Sequence, residues 1–507
     1  MDMKSGTRGV LYLSGFPNPA QWGHGVLEEE VRLLDMEWAL KLGELATEAP
    51  SRAHWPRWGM EHLFRTLDRK LFGRKLRRTQ DLDIQSRLDA AAAEPGSLHL
   101  AYSAAAAVTQ AGRRNEAVLY VEFEGLPMAE LEEAVRSRLG VPEATLNAKV
   151  WLQPPEGARR LLFEGELDMD HRALCTSVAM CAAKLPTLLR GALTRLGQAE
   201  YVPATRRPRV EAPALPAPQQ LMRVGRAIVR RLLWREQWRI ESYQRDGRGG
   251  ANGRLSMEFK PPGGTFWADP FLLQQNGRSW MLFEELVYKT DKGHISAVEL
   301  DASGKPKSKP QVVLDEPWHL AYPFVFEDKG KTYMMPDASR SGELALYERG
   351  ADVLHWTRCA TLMSGQRMAD STIIPFQGKL WMFTTQADRG ASLDDTLYIY
   401  WADQVEGPWH PHGLNPVKID AGSSRPAGNM WVRDGVLHRV VQNCASAYGG
   451  ATVCMRVSTL SETEFKEEVV SGWGSNAKPE GVPWHTYNRQ ADMFVLDRLR
   501  RTPRWLS

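Results

Sequence analysis

The sequence predicts an α/β N-terminal domain over residues 1–200 and an all-β five-bladed β-propeller as C-terminal domain over 236–507, joined by a Pro-rich linker and basic helix over 201–235. Three observations carry this. A chain of 507 residues exceeds what a single hydrophobic core organises, so two or three domains are expected. The first two hundred residues interleave strand and helix patterns. The second half repeats one motif at blade-length intervals.

In chain order, Val10-Leu11-Tyr12-Leu13 reads as a first strand, and 27–45 as an amphipathic helix with apolar residues at helical spacing. Val118–Phe123 and 149–152 read as strands, and 159–167 returns as a hairpin partner with alternating polarity. The apolar periodicity of 173–196 predicts one long helix. Pro203, Pro208, Pro213, Pro216 and Pro218 keep 201–220 from sustaining a helix or a ladder, so an extended linker is expected. A basic helical pattern follows over 221–235, with Arg223, Arg226, Arg230, Arg231 and Arg235. It suits either a solvated face at the domain junction or peripheral contact of 223–235 with anionic lipid headgroups. Glu236-Gln237-Trp238-Arg239-Ile240 reads as a strand that completes the propeller.

The repeat is found by aligning glycines. Ala268-Asp269-Pro270-Phe271 is followed by Gly277 and Trp280, Ala321-Tyr322-Pro323-Phe324 by Gly330 and Tyr333, and Ala369-Asp370-Ser371-Thr372 by Gly378 and Trp381. Glycine comes eight residues after the Asp or Tyr each time, and an aromatic three residues later. Ser424-Arg425-Pro426-Ala427, with Gly435 and His438, is a looser fourth copy, and Trp484-His485-Thr486-Tyr487-Asn488 opens a fifth. Successive copies lie 53, 48, 55 and 60 residues apart, the length of a four-stranded blade. Third strands such as 343–347 and 396–401 follow the hairpins.

Composition excludes several classes. A net charge of +3 demands no nucleic-acid partner. The five cysteines form no metal-binding or CxxC spacing and read as reduced thiols, with no metal site or cofactor implied. The first fifteen residues carry no apolar signal-peptide core, and no run reaches the length of a membrane span, so a cytoplasmic location is expected. Of 18 tryptophans, ten fall between Trp267 and Trp484, suited to flat β cores and to stacking on sugar rings.

The first strand of each blade lines the channel, so the register brings Asp269, Tyr322, Asp370, Arg425 and His485 toward one axis. Seven residues past each repeat glycine comes a second ring, Glu284, Asp337, Thr385 and Gln442. Buried charges are costly unless paired, so this pattern needs an explanation. The functional reading is an acid/base site in which one carboxylate is ionised and its neighbour raised. Asp269 would then be the general base, Asp370 and Glu284 further carboxylates, and Arg425 and His485 the holders of an anionic group. Trp267, Tyr322, Asp337 and Asn488 complete the ligand-binding set. The structural reading is a channel plugged by strand-capping Asp and an Arg425–Asp370 pair. His319, His410 and His412 lack metal-ligand spacing and read as surface histidines. The basic cluster Arg74, Lys75, Arg77 and Arg78 suits a helix end or a phosphate-bearing ligand.

Phe266-Trp267-Ala268-Asp269-Pro270-Phe271, Ala321-Tyr322-Pro323, Asp370-Ser371-Thr372, Gly407-Pro408-Trp409, Asn415-Pro416-Val417, Arg425-Pro426-Ala427-Gly428 and His485-Thr486-Tyr487-Asn488 occur in that order. Together they resemble the propeller domain at the N-terminus of plant glucosamine inositolphosphorylceramide transferases and in many bacterial proteins, itself similar to the five-bladed furanosidase clan of glycoside hydrolases. The resemblance implies a glycan or sugar-phosphate ligand and Asp269 at the position of the hydrolases' general base. Where those hydrolases carry their second Asp this chain has Tyr322, and their acid Glu has no clear counterpart. Leu67-Asp68-Arg69-Lys70-Leu71-Phe72, Asp81-Leu82-Asp83-Ile84 and the hairpin and helix over 159–196 resemble a degenerate formyltransferase domain; the Ala-rich 98–109 lacks its His-Gly pair. Two functions follow as expectations: an enzyme of surface-polysaccharide or glycolipid metabolism, hydrolase or transferase, or a non-catalytic glycan-binding scaffold.

Overall fold

The computed structural model describes residues 9–14, 38–42, 98–101, 104–115, 117–141, 144–171, 173–205, 234–245, 253–470 and 484–504, with scattered positions between 219 and 233. The C-terminal half is a propeller. Four of its sheets are separate, four-stranded and antiparallel. The first runs Thr265–Gln275, Arg278–Val287, Lys292–Leu300, Gln311–Leu314, and the second Ala321–Asp328, Lys331–Asp337, Glu343–Arg349, Trp356–Ser364. A third set, Arg367–Phe376, Lys379–Ala387 and Thr396–Ala402, repeats the same antiparallel order but continues through Lys418–Asp420 into the N-terminal sheet. The fourth sheet spans Trp431–Arg433 to Phe465–Val469. The closing sheet pairs Tyr487–Gln490 and Met493–Pro503 with Trp234–Arg245 and Gly253–Phe259, so the strand expected around Trp238 does lock the two ends of the propeller together.

Apolar packing links each set to the next. Phe271, Tyr322, Phe324 and Met382 join the first, second and third. Phe383 and Phe465 join the third to the fourth, Val440 and Tyr487 the fourth to the closing sheet, and Val495 and Phe283 the closing sheet to the first. Inner strands such as Lys379–Ala387 and Thr396–Ala402 are buried along nearly their whole length, because each set is covered on both faces by its neighbours.

The repeat glycine has a local cause. At Asn276–Gly277, Lys329–Gly330 and Gln377–Gly378 both turn residues have positive φ, 48–50° then 73–80°. That is the two-residue hairpin whose twist matches the strands, and glycine takes its second position without a Cβ penalty. Eight residues earlier, Asp269, Tyr322 and Asp370 also sit at positive φ (50°, 44° and 53°), each inside a break of strand register. These are bulges at three equivalent places, and they turn the backbone amide toward the axis.

In the N-terminal region Gly9–Ser14 pairs in parallel with Trp38–Leu42 and Leu98–Ala101. Leu98–Ala101 is followed by helix Ala104–Arg114 and the parallel strand Val118–Phe123, a βαβ unit. Leu146–Gln153 and Arg160–Leu167 extend the sheet antiparallel, as the hairpin pattern predicts. Three expectations are corrected. The helix over 27–45 does not hold across Trp38–Leu42, which pairs as a strand; its other positions lie outside the described residues. The helix over 173–196 is two helices, Leu174–Ala182 and Leu185–Leu193, because Pro186 cannot continue the first and starts the second. The basic helix ends before Trp234, so Arg235 belongs to the closing sheet. The motif stretches at 67–84 and the cluster Arg74, Lys75, Arg77 and Arg78 lie outside the described residues.

The two halves are joined through backbone and side chains. Ile419 and Asp420 pair in parallel with Gly165 and Glu166. A Cβ at Gly165 would stand 2.9 Å from that of Ile419, so this approach requires glycine. Between the two helices, buried Lys184 donates to Asp395 Oδ1 (2.6 Å), Thr396 Oγ1 (2.9 Å) and the Ser392 carbonyl (2.9 Å). Asp168 accepts from Ser392 (2.7 Å) and Arg190 donates to the Tyr398 hydroxyl (2.7 Å).

Candidate functional site on the propeller axis

The inward bulges place the repeat residues where the register says they meet. Asp269 Oδ2 accepts the Tyr322 amide (3.2 Å), and Asp497 Oδ2 accepts the Asp269 amide (2.9 Å). The first two bulge amides are thus each received by a carboxylate from the preceding sheet. Asp269 Oδ1 accepts from the Thr486 hydroxyl and lies 3.4 Å from His485 Nε2. On the other side of the ring, His485 Nδ1 is 2.7 Å from Asp497 Oδ2, off the line of a hydrogen bond, so the contact is ionic. Asp497 Oδ1 accepts the amides of His485 (3.0 Å) and Thr486 (2.9 Å). The result is a buried carboxylate–imidazole–carboxylate line, with Trp238 stacked on the imidazole at 4.1 Å and Tyr448 edge-on at 5.2 Å.

Burial raises the Asp269 carboxyl to about 6 against the opposing charge of His485, with Asp497 and Glu284 adding to the rise. Burial alone would lower His485, but Asp497 and Asp269 outweigh it and lift the imidazole to about 9. Near neutrality Asp269 is therefore a carboxylate beside an imidazolium, close to its own titration point.

A second network closes the opposite wall. Arg425 Nε and Nη2 grip both oxygens of Asp370 (2.7 and 3.2 Å), while Nη1 reaches Asp394 (2.8 Å). Gln442 also donates to Asp370 (2.8 Å). Burial pushes Asp370 up and Arg425 pulls it back. Tyr322 crosses between the networks: its hydroxyl accepts the Gly428 amide (2.7 Å) and shares a hydrogen bond with Thr372 (2.9 Å).

Among the second-ring residues, Glu284 stands opposite Ala268 beside the first bulge, and Asp337 opposite Ala321 beside the second. His319 Nδ1 accepts the Gly293 amide (3.0 Å), which leaves the proton on Nε2, 3.3 Å from Glu284. Burial works to lower His319, but the Glu284 carboxylate outweighs it and raises the ring. Asp337 caps the Ser339 amide (2.7 Å).

The structure thus brings Asp269, Asp370, Arg425 and His485 together and flanks them with Glu284 and Asp337. It also shows where the expected roles differ. Arg425 and His485 face carboxylates of the protein itself, so their charges are already matched rather than open to a ligand anion. Tyr322 is fully buried with its hydroxyl committed on both sides. Asn488 clamps the Pro270 carbonyl (2.8 Å) and the Asn429 amide (2.7 Å), and Trp267 packs against Phe283 in the core. His319, expected on the surface, sits at the Glu284 carboxylate instead. Asp497 escaped the repeat because the closing hairpin is shorter and lacks the glycine: it follows His485 by twelve residues, where Glu284 follows Asp269 by fifteen. Asp394, on a loop, left no repeat signal. Asp269, His485 and Asp497 are also spaced to surround a cation, but each is already engaged within the protein.

A propeller whose axis carries paired carboxylates and an imidazolium is the class of protein defined by fold and site. Residues 256–496 match the family model of the N-terminal region of glucosamine inositolphosphorylceramide transferase 1. The rice protein of that name (Oryza sativa subsp. japonica) is 31% identical over 241 residues, 46% of this chain and 32% of its own. The Arabidopsis thaliana protein is 33% identical over 206 residues, 40% of this chain and 27% of its own. The chain spans about a third of the length of these curated relatives. Among solved structures, a thermostable family-43 glycoside hydrolase is 15% identical with a TM-score of 0.33, covering 40% of this chain and 74% of that one. An exo-β-1,3-galactanase from Clostridium thermocellum is 16% identical with a TM-score of 0.34, covering 43% and 53%.

Proposed function

We propose that this chain handles a glycosyl or sugar-phosphate ligand at the axial mouth of a five-bladed ring, as an enzyme of surface-polysaccharide or glycolipid metabolism. The strands between Arg367 and Asp420 serve as the third blade, opened at its outer edge to receive the N-terminal sheet. Asp269 is the proton-accepting group, Asp497 and Glu284 the carboxylates that add to its rise, and Asp370 a further carboxylate held by Arg425, while Glu284 is steadied by His319. The carrying observation is the Asp269 carboxyl: burial holds it at about 6, in the range where a base both exists and accepts a proton near neutrality. The match of 256–496 to a glycolipid transferase family supports the substrate class.

A second reading, a glycan-binding module without turnover, is favoured by one feature. Arg425, Asp370, Asp394 and Gln442 form a closed set, and Tyr322 blocks the axis beside it. A mass-spectrometric panel of glycans and sugar phosphates separates the two. Turnover by the native chain, lost in Asp269→Asn with binding retained, supports the enzyme. Undiminished turnover by Asp269→Asn overturns it, and binding without turnover by the native chain selects the module.

A further inference from the structure

The segment before the closing sheet has found no role in the site. From 212 to 235 the chain holds five arginines and no carboxylate. The described positions here, 219, 222, 225, 226, 229, 230, 232 and 233, are helical and all exposed. They include Met222, Val229, Leu232 and Leu233, each with between two-fifths and two-thirds of its surface open to solvent, and Arg226 and Arg230. Trp234, next in line, is also exposed. Large apolar side chains left in water beside unmatched cations are unusual for a solvated helix, and together they define an interfacial amphipathic segment. No helix among the described residues is long and apolar enough to cross a membrane, so the fit is to a surface.

Position matters as much as composition. In the closing sheet Ile240 pairs with Asp497, level with His485, and Trp234 pairs with Pro503 six residues further along. At roughly 3.3 Å per residue the two-stranded ribbon projects about 20 Å past the axial cluster. It projects from the end of the strands where Asp269 and Glu284 lie. Arg235 sits over the Tyr288 ring (4.2 Å) and the Tyr288 hydroxyl donates to the Glu236 carbonyl (3.1 Å), fixing the ribbon to the first sheet at that same end.

We infer that this basic, apolar segment docks the chain on an anionic phospholipid surface with the axial mouth turned toward the bilayer. Arg226 and Arg230 meet anionic headgroups while Met222, Val229, Leu232, Leu233 and Trp234 enter the interface. Such docking would offer the mouth lipid-linked rather than free sugars. The docking rests on the segment and on its place in the closing sheet and is independent of Asp269, while the lipid-linked ligand rests on the proposed function.

Flotation of the full chain with sugar-free vesicles tests it. Binding is expected to phosphatidylcholine vesicles containing phosphatidylserine, to be weak on phosphatidylcholine alone, and to fall as salt shortens the screening length. The Arg226→Gln/Arg230→Gln pair should weaken it about fivefold per arginine, and Leu232→Ser/Leu233→Ser should weaken it as well, with unfolding midpoints unchanged because all four residues are exposed. Equal binding to both vesicle types, or no loss in the arginine pair, overturns the inference. So does tighter binding to heparin than to vesicles with no loss in the serine pair, which would assign the surface to a polymeric polyanion.

Discussion

Two buried charge clusters in the propeller are made of similar parts and hold them in opposite balance. Between the third set and the fourth sheet, Glu467 receives Arg439 through two nitrogens (2.6 and 2.8 Å) and also Lys418. Arg439 additionally donates to the carbonyls of Ser423 and Ser424. Burial works to raise Glu467, but the two cations outweigh it and hold the carboxyl at about 2. On the axis the ratio is reversed: Asp269 and Asp497 share one imidazole, and Asp269 stands at about 6. One carboxylate among two cations is a cluster tuned to stay ionised. Two carboxylates around one cation leave a proton's position undecided near neutral pH, and that is the arrangement chemistry or ligand binding can use.

The largest effect that would break this contrast is on the structural side. Arg439→Ala should cost about 3–5 kcal/mol in urea unfolding, because Glu467 would be left buried without its bidentate partner. A loss under about 1 kcal/mol would mean that water reaches Glu467 and that the two clusters are not comparable.

The axial cluster should show its imbalance through pH. His485 is raised in the folded state, so its contribution to stability is complete below about 6.5 and is lost as pH rises toward about 9. The difference in unfolding free energy between the native chain and His485→Gln should therefore shrink by about 3 kcal/mol across that window. Taking the difference removes Lys418, which burial lowers to about 8 and which pulls stability the other way above that pH. A difference that stays flat from 6.5 to 9 would show that His485 is neutral in the fold.

A smaller effect sharpens the functional side. Asp269→Asn should change stability by less than about 1 kcal/mol at pH 7, since relief of a buried charge offsets a weakened hydrogen bond. Glu467→Gln should be clearly destabilising in the same assay. If the two variants lose stability equally, Asp269 is a structural carboxylate like Glu467. The smallest change serves as reference: Arg456→Ala, which removes an exposed pair with Glu468, should stay within about 0.5 kcal/mol.

Much of the ring is written in local sequence. The glycine offset gave the hairpins because a two-residue turn with both residues at positive φ leaves few alternatives to glycine. The same register led to Asp269, Asp370, Arg425 and His485. The helix break at Pro186 was also legible, but the apolar periodicity on both sides masked it. The strand at Trp38–Leu42 was not legible, because short apolar runs fit either period. Asp497 and Asp394 required the fold, the first displaced by a shorter hairpin and the second carried on a loop.

The sequence by itself determined the propeller, its repeat, and which side chains converge, since period, turn chemistry and spacing are local properties of the chain. Only the tertiary structure decided what those side chains do to one another: that Arg425 closes on Asp370 and Asp394, and that His485 is shared between Asp269 and Asp497. The reason is that pairing and pKa depend on distance and burial across sheets, which residues from different repeats acquire only when the ring closes.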